Sequence, residues 1–456
     1  MQPPANVMDL IGNTPMVRVA HLDTGPCELY LKLENLNPTG SIKDRIGLSM
    51  IEAAEAAGEL RPGGTLVEGT AGNTGLALAL VAQQKGYRVV LVIPDKMSRE
   101  KIFNLKAMGA EVVLTRSDVA KGHPEYYQDK AAAIARETPG AVFVNQFGNP
   151  ANPLAHERGT GPEILRQMEH RLDAVVCGVG SAGTMTGLSR CFAEAAPQVE
   201  LVLADPEGSV LAEYVRTGRL STESGSWLVE GIGEDFIPPV ADLSRVRQAI
   251  TVSDKESLLC GRELLHREGI LGGTSTGTCL AAALRYCRAQ PHPKRVVTFV
   301  CDTGNKYLSK MFNEHWMEDQ GFIERYHYGD LRDLIRHPYA EHDTVVVAPD
   351  EPLTTAYARM KLYDVSQLPV MEGDRVVGII NETDVLMAVY GHEDHFTSPV
   401  AEAMITELQE LSPGASLDDL VGVFQQHHVA IVTEGERFHG LITRIDLLNY
   451  LRRRID

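Results

Sequence analysis

Four short clusters in the chain combine residue types that can do chemistry. The first is Asn37-Pro38-Thr39-Gly40-Ser41-Ile42-Lys43-Asp44-Arg45. It places a lysine just past a Gly-Ser turn, at the start of a helical pattern. The positive end of a helix dipole disfavours a cation there and lowers its pKa. An amine that deprotonates readily can form a Schiff base. On these residues alone a solvated surface lysine is the plainer alternative. The second cluster is Glu68-Gly69-Thr70-Ala71-Gly72-Asn73-Thr74-Gly75. Its small residues admit a ligand close to the backbone, and helix-start amides attract a carboxylate. The third is Gly178-Val179-Gly180-Ser181-Ala182-Gly183-Thr184, suited to cradling a phosphate on backbone N–H groups. Gly178, Gly180 and Gly183 also satisfy a dinucleotide-type spacing. That reading is set aside because the strand before these glycines lies deep in the chain and not near its start. The fourth is Leu271-Gly272-Gly273-Thr274-Ser275-Thr276-Gly277, whose hydroxyls suit either a helix N-cap or a ligand nitrogen.

The elements that must position these clusters alternate in type along the first ~300 residues. Strand-like runs include Leu29–Leu33, Arg88–Pro94, Ala174–Cys177, Leu201–Ala204 and Val296–Val300. Helical stripes lie between them, as over 41–57 and 76–85, each closed by a glycine. Such alternation predicts an α/β fold with a mainly parallel sheet covered on both faces. After about Trp316 the texture changes, and an internal duplication follows. Val377-Gly378-Ile379-Ile380-Asn381-Glu382-Thr383-Asp384 recurs as His439-Gly440-Leu441-Ile442-Thr443-Arg444-Ile445-Asp446, an offset of 62 residues. Upstream, Leu353 matches Leu417 at an offset of 64, so one copy carries a two-residue indel. Each copy reads as helix, strand, turn, strand, helix. The expected boundaries are a core over 1–320, a linker over 321–338, and two repeats over 339–395 and 396–456.

Composition bounds the function. The 456 residues carry 43 Lys+Arg against 61 Asp+Glu, a net charge of −18. Nucleic-acid and anionic-membrane binding are therefore poor expectations. No apolar run reaches the roughly 18–20 residues of a membrane span. The N-terminus lacks a signal-peptide pattern. Seven cysteines with no CxxC pair fit reduced thiols in a cytoplasmic protein, with no metal site.

A lysine, a phosphate loop, an anion loop and a hydroxyl together suit one cofactor, pyridoxal 5'-phosphate. On these motifs, residues ~5–316 resemble the fold type II pyridoxal-phosphate enzymes of the cystathionine β-synthase and cysteine synthase group. The resemblance implies a two-lobed parallel-sheet core of the tryptophan synthase β type. It implies that Lys43 carries the cofactor and moves the substrate's α-proton, and that Asn73 bonds the cofactor's 3′-oxygen. Gly180, Ser181, Ala182, Gly183 and Thr184 would hold its phosphate, and Ser275 would face its ring nitrogen. A hydroxyl there leaves the ring neutral, which favours loss of a β-substituent over transamination. Thr70, Ala71, Gly72, Thr74, Gln146 and Gly231 would contact the amino-acid substrate. Ala71 departs from the family's frequent serine. Ala204–Ser209 and Val229–Phe236 look more like the cystathionine β-synthase branch than the cysteine synthase branch, although Glu234 stands where a tyrosine is usual. That branch implies serine plus homocysteine giving cystathionine, within transsulfuration and cysteine biosynthesis, with hydrogen sulfide release from cysteine as a side activity. Cysteine synthase activity and a nucleotide-sensing protein with a degenerate catalytic half are the alternatives. The motif Ile11–Pro15 arrives early and only His21 and Cys27 precede Lys43 as candidate ligands, so a haem-free, bacterial-type member is expected. The tail resembles a tandem pair of CBS domains, a Bateman module. Asp384, Thr443 and Asp446 match its adenosyl-contacting pattern, and a purely structural tail is the alternative. The resemblance also implies a homodimer or higher homo-oligomer.

Overall fold

The computed structural model describes residues 4–70, 72–95, 97, 99–119, 121–220, 224–324 and 327–452. It divides into two compact units, 1–313 and 314–456. Among the described residues, no helix is long and apolar enough to cross a membrane.

The first unit holds two sheets. The larger is built from β1 (Met16–Arg18), β2 (Glu28–Leu33), β7 (Ala174–Gly178), β8 (Glu200–Pro206), β9 (Val246–Val252) and β10 (Arg295–Val300), in the order β1-β2-β10-β7-β8-β9. All its pairings are parallel except β1 with β2. The smaller sheet comprises β3 (Thr65–Gly69), β4 (Arg88–Pro94), β5 (Glu111–Thr115) and β6 (Ala141–Phe143), in the order β5-β4-β3-β6, all parallel. The reason lies in the run composition. Parallel strands covered on both faces read as continuous apolar stretches, and in β4 every residue from Val89 to Pro94 is buried. Alternation then sorts side chains between two cores. Ala174, Val176 and Val296 pack into one cluster, while Val175, Cys177 and Val297 pack into the other.

The glycine stops expected from the sequence are present. The helix Lys43–Ala56 is followed by Gly58, and Asn73–Lys85 ends at Gly86, both with φ in the left-handed region (72° and 78°). A charged group lies deep in this unit. Arg45 donates to Glu34 at 2.7 Å and to Glu163 at 2.6 Å, and Lys32 donates to Glu163 at 2.9 Å. The four side chains are almost wholly enclosed, so each charge depends on its partners.

The second unit repeats one motif. The helix Leu353–Tyr363, β11 (Gln367–Glu372), β12 (Arg375–Asn381) and the helix Glu382–Val389 form the first copy. The second copy has the helix Leu417–Gln425, β14 (Ala430–Glu434), β15 (Arg437–Ile442) and the helix Arg444–Arg452, with a short β13 (Glu410–Leu411) beside β14. The two-residue indel surfaces as helix length, 11 residues against 9. Each hairpin carries one register shift, which skips Val377 in β12 and His439 in β15. A small buried cluster of Met371, Val376, Ile431 and Phe438 joins the copies. The stretch read as a linker ends inside this unit. Its turn Leu331–Leu334 buries Leu331 and Leu334, with Ile335, in the core of the second copy.

Candidate active site

Lys43 is the first residue of its helix, after Ile42, and it lines a small cavity. Asn73, the loop Gly180–Thr184, Gly231, Ser275, Cys177 and Cys301 line the same cavity. Burial lowers the Lys43 pKa below its usual value, while Asp302 and Glu234 pull the other way. The sequence argument rested on the helix dipole, and burial is the leading cause of the lowering here.

The glycine loop follows β7 and opens the helix Gly183–Ala195. Its N-cap is Ala182, held at φ 67°, and no side chain caps the helix, so the first-turn amides stay available to a ligand. Side chains would not fit at Gly180 or Gly183. A Cβ on Gly180 would lie 2.4 Å from the Gly231 carbonyl oxygen, and one on Gly183 would lie 1.7 Å from Asn152 Oδ1. Asn152 braces the loop by donating to Ser181 Oγ at 3.0 Å. A phosphate group suits this donor set of bare backbone amides.

Asn73 opens the helix Asn73–Lys85. Its Nδ2 donates to Asp302 Oδ2 at 2.7 Å, and its Oδ1 accepts from Lys306 Nζ at 2.7 Å. One amide hydrogen is left to point elsewhere. Ser275 is buried in the first turn of the helix Thr274–Arg288. The carboxylate-type loop forms a neighbouring cluster, linked to the cavity through Asn73. Gly72 N donates to Thr70 Oγ1 at 3.2 Å, Thr74 Oγ1 donates to Gln146 Oε1 at 2.8 Å, and Gln146 Nε2 reaches buried Glu68 at 3.3 Å. Burial pushes the Glu68 pKa up to about 8. Ala71 lies outside the described residues. Glu230, next to Gly231, pairs with Lys101 and, at 2.8 Å, with Lys310.

Sequence reasoning missed Asp302, Lys306 and Asn152. Asp302 had a signal, because it lies just past the carboxyl end of β10, where open parallel sheets place ligands. Asn152 had none, since only folding brings it under Ser181.

In the tail, Asp384 and Asp446 occupy equivalent helix starts. Asp384 accepts from Asn381 N at 2.9 Å. Asp446 accepts from Thr443 N at 2.8 Å and Thr443 Oγ1 at 2.6 Å. Each aspartate therefore serves first as a helix cap.

Residues 7–302 match the family model of the pyridoxal-phosphate dependent enzymes. The chain belongs to that family. Residues 331–391 and 400–453 match the CBS domain. The chain is 37% identical to a cystathionine beta-synthase of Dictyostelium discoideum over 98% of this chain and 92% of the relative. It is 40% identical to cysteine synthase 1 of Neurospora crassa, but over only 69% of this chain and 84% of that one. Among solved structures, a hydrogen sulfide-producing enzyme of Fusobacterium nucleatum is similar, with a TM-score of 0.63 and 35% identity, covering 67% of this chain and 100% of that one. The family's cofactor is pyridoxal phosphate, and the enclosed amine, bare-amide loop and buried hydroxyl fit it.

Proposed function

We propose that this chain replaces the β-hydroxyl of L-serine with the thiol of L-homocysteine, giving L-cystathionine and water. The observation that carries the reading is the sharing of one cavity by Lys43, the loop Gly180–Thr184 and Ser275. The full-length similarity to a cystathionine beta-synthase, tail included, favours it over cysteine synthase, whose match covers less of the chain.

When bound, pyridoxal 5'-phosphate spreads negative charge away from the substrate's α-carbon. The chain's residues do the rest. Lys43 holds the cofactor, then takes the α-proton with its neutral amine, a form favoured by burial. Backbone amides of Gly180–Thr184 hold the phosphate. Ser275 meets the ring nitrogen without adding charge. Asn73 offers its remaining amide hydrogen to the ring oxygen. Thr70, Gly72, Thr74 and Gln146, with Ala71 and Gly231, grip the amino acid. The test is a product assay with serine plus homocysteine, run beside O-acetylserine plus sulfide, on the native enzyme and on Lys43→Ala. Cystathionine formation that vanishes in the variant supports the reading. Full turnover by Lys43→Ala overturns the assignment.

The same reading covers the remaining features. The core ends near 320, and the tail's Asp384, Thr443 and Asp446 are its candidate adenosyl contacts. Calorimetry with S-adenosylmethionine tests them, and absence of heat removes the idea. A haem-free enzyme is favoured because Cys27 is buried, with its thiol on the Cys287 carbonyl, whereas His21 is exposed. Seven free cysteines favour the cytoplasm.

A further inference from the structure

Four of the chain's 15 histidines fall between 315 and 342. Two of them converge on one carboxylate oxygen. His315 Nε2 lies 2.8 Å from Asp343 Oδ2, and His337 Nδ1 lies 2.7 Å from the same atom. The two rings meet edge-on with centroids 5.3 Å apart. One ligand atom from each of the three side chains can be chosen so that all lie within 4.8 Å of one another.

Three separate pieces of backbone bring the groups together. His315 stands on the helix Glu314–Asp319. His337 precedes the turn Tyr339–Glu341. His342, held at φ 57°, reverses the chain and returns Asp343 toward His337. Thr344 Oγ1 pins this reversal by donating to the His337 carbonyl at 2.5 Å. Partly exposed His–Asp pairs contribute only about 0–1 kcal/mol each. Stability alone gives little reason to aim two imidazoles at one oxygen.

We propose that His315, His337 and Asp343 form a binding site for one Zn²⁺ ion in the segment leading into the first CBS copy. Two imidazole nitrogens and one carboxylate oxygen are a recognised zinc donor set, with a fourth position left for water. Zinc bonds of about 2.0–2.1 Å in a tetrahedron put ligand atoms roughly 3.4 Å apart. The carboxylate therefore needs to withdraw only slightly to admit the ion. The outer partner is also present, because His315 Nδ1 faces Glu318 Oε2 at 3.6 Å. On binding, each ring's proton moves to the nitrogen turned away from the ion, Nδ1 of His315 (toward Glu318) and Nε2 of His337, so both rings offer a lone pair without net proton loss. The two carboxylates balance the ion's charge.

The test uses full-length, cofactor-loaded protein stripped with a chelator and dialysed. It is titrated with ZnCl₂ by calorimetry and with CoCl₂ by visible absorption. We expect one ion per chain and the strong visible bands of tetrahedral cobalt. His337→Ala should weaken zinc binding at least about 100-fold, and Glu318→Gln roughly 10-fold. Asp343→Asn keeps the shape of the carboxylate and serves if His337→Ala does not fold. A second exposed group, His392, Asp394 and His395, also brings potential ligands together. His392→Ala/His395→Ala should leave the titration unchanged. No zinc heat, equal affinity in His337→Ala and Asp343→Asn, or loss of binding only in His392→Ala/His395→Ala overturns the proposal.

Discussion

Lys306 Nζ donates to Asn73 Oδ1 at 2.7 Å, and this bond fixes which end of the Asn73 amide faces which neighbour. With Asp302 accepting from Nδ2, the amide cannot flip without losing both partners. Lys306→Met removes a charged donor to the amide oxygen. A hydrogen bond to a charged group contributes about 1.5–3 kcal/mol, so cofactor affinity should fall roughly 10- to 100-fold. Titration of the stripped variant with pyridoxal phosphate, followed by absorbance, checks this. An unchanged affinity would show that Asp302 orients Asn73 alone.

Glu234 supplies a pH prediction. Burial pushes its pKa up to about 8, with Asp235 adding to the rise and Lys43 opposing it. Above about pH 8, where Glu234 is ionised, its negative charge in turn raises the Lys43 pKa. Glu234→Gln removes that charge, so Lys43 should lose its proton at lower pH. The acidic limb of the kcat profile should shift toward acid. An acidic limb that stays in place, or moves toward alkali, contradicts the coupling.

The buried group around Glu163 predicts a stability change with pH. Burial works to raise its pKa, but Arg45 and the other donors outweigh that and bring it to about 2, below the usual 4.5. A depressed acid stabilises the fold above its unfolded pKa. That contribution should fade as pH falls from about 4.5 toward 2. At neutral pH, Glu163→Ala should cost about 3–5 kcal/mol by leaving Arg45 and Lys32 short of a partner. Urea midpoints across this pH range measure both effects.

Gly180→Ala tests the phosphate loop. The added methyl meets the backbone oxygen of Gly231 at 2.4 Å, which has no rotamer to escape through. Such overpacking costs about 1–3 kcal/mol. We expect weaker cofactor retention during gel filtration and a lower melting temperature. Wild-type retention would mean that the loop has room the geometry denies.

Much of this was legible in the residues. The second and third clusters stood out through their small residues and glycine spacing, the first and fourth gained meaning only beside them, and the apolar runs gave the parallel sheets because burial on both faces leaves no alternation to misread. The parts that were not legible depend on distance in the chain. Asp302 and Asn73 are 229 residues apart, and no local pattern links them. Glu34 and Glu163 look like surface charges until Arg45 and Lys32 are found between them. The turn around Leu331 read as a spacer because its apolar residues have no period, yet tertiary packing buries them.

The skipped residues Val377 and His439 have one further consequence. They fall at the same point in both hairpins, 62 residues apart, although the helices before them differ in length. The tail therefore contains its own control. A substitution at Val377 can be compared with its counterpart at His439 inside a single molecule, at one temperature and one concentration. Whatever differs between the two responses belongs to the individual copy, and whatever is shared belongs to the hairpin geometry common to both.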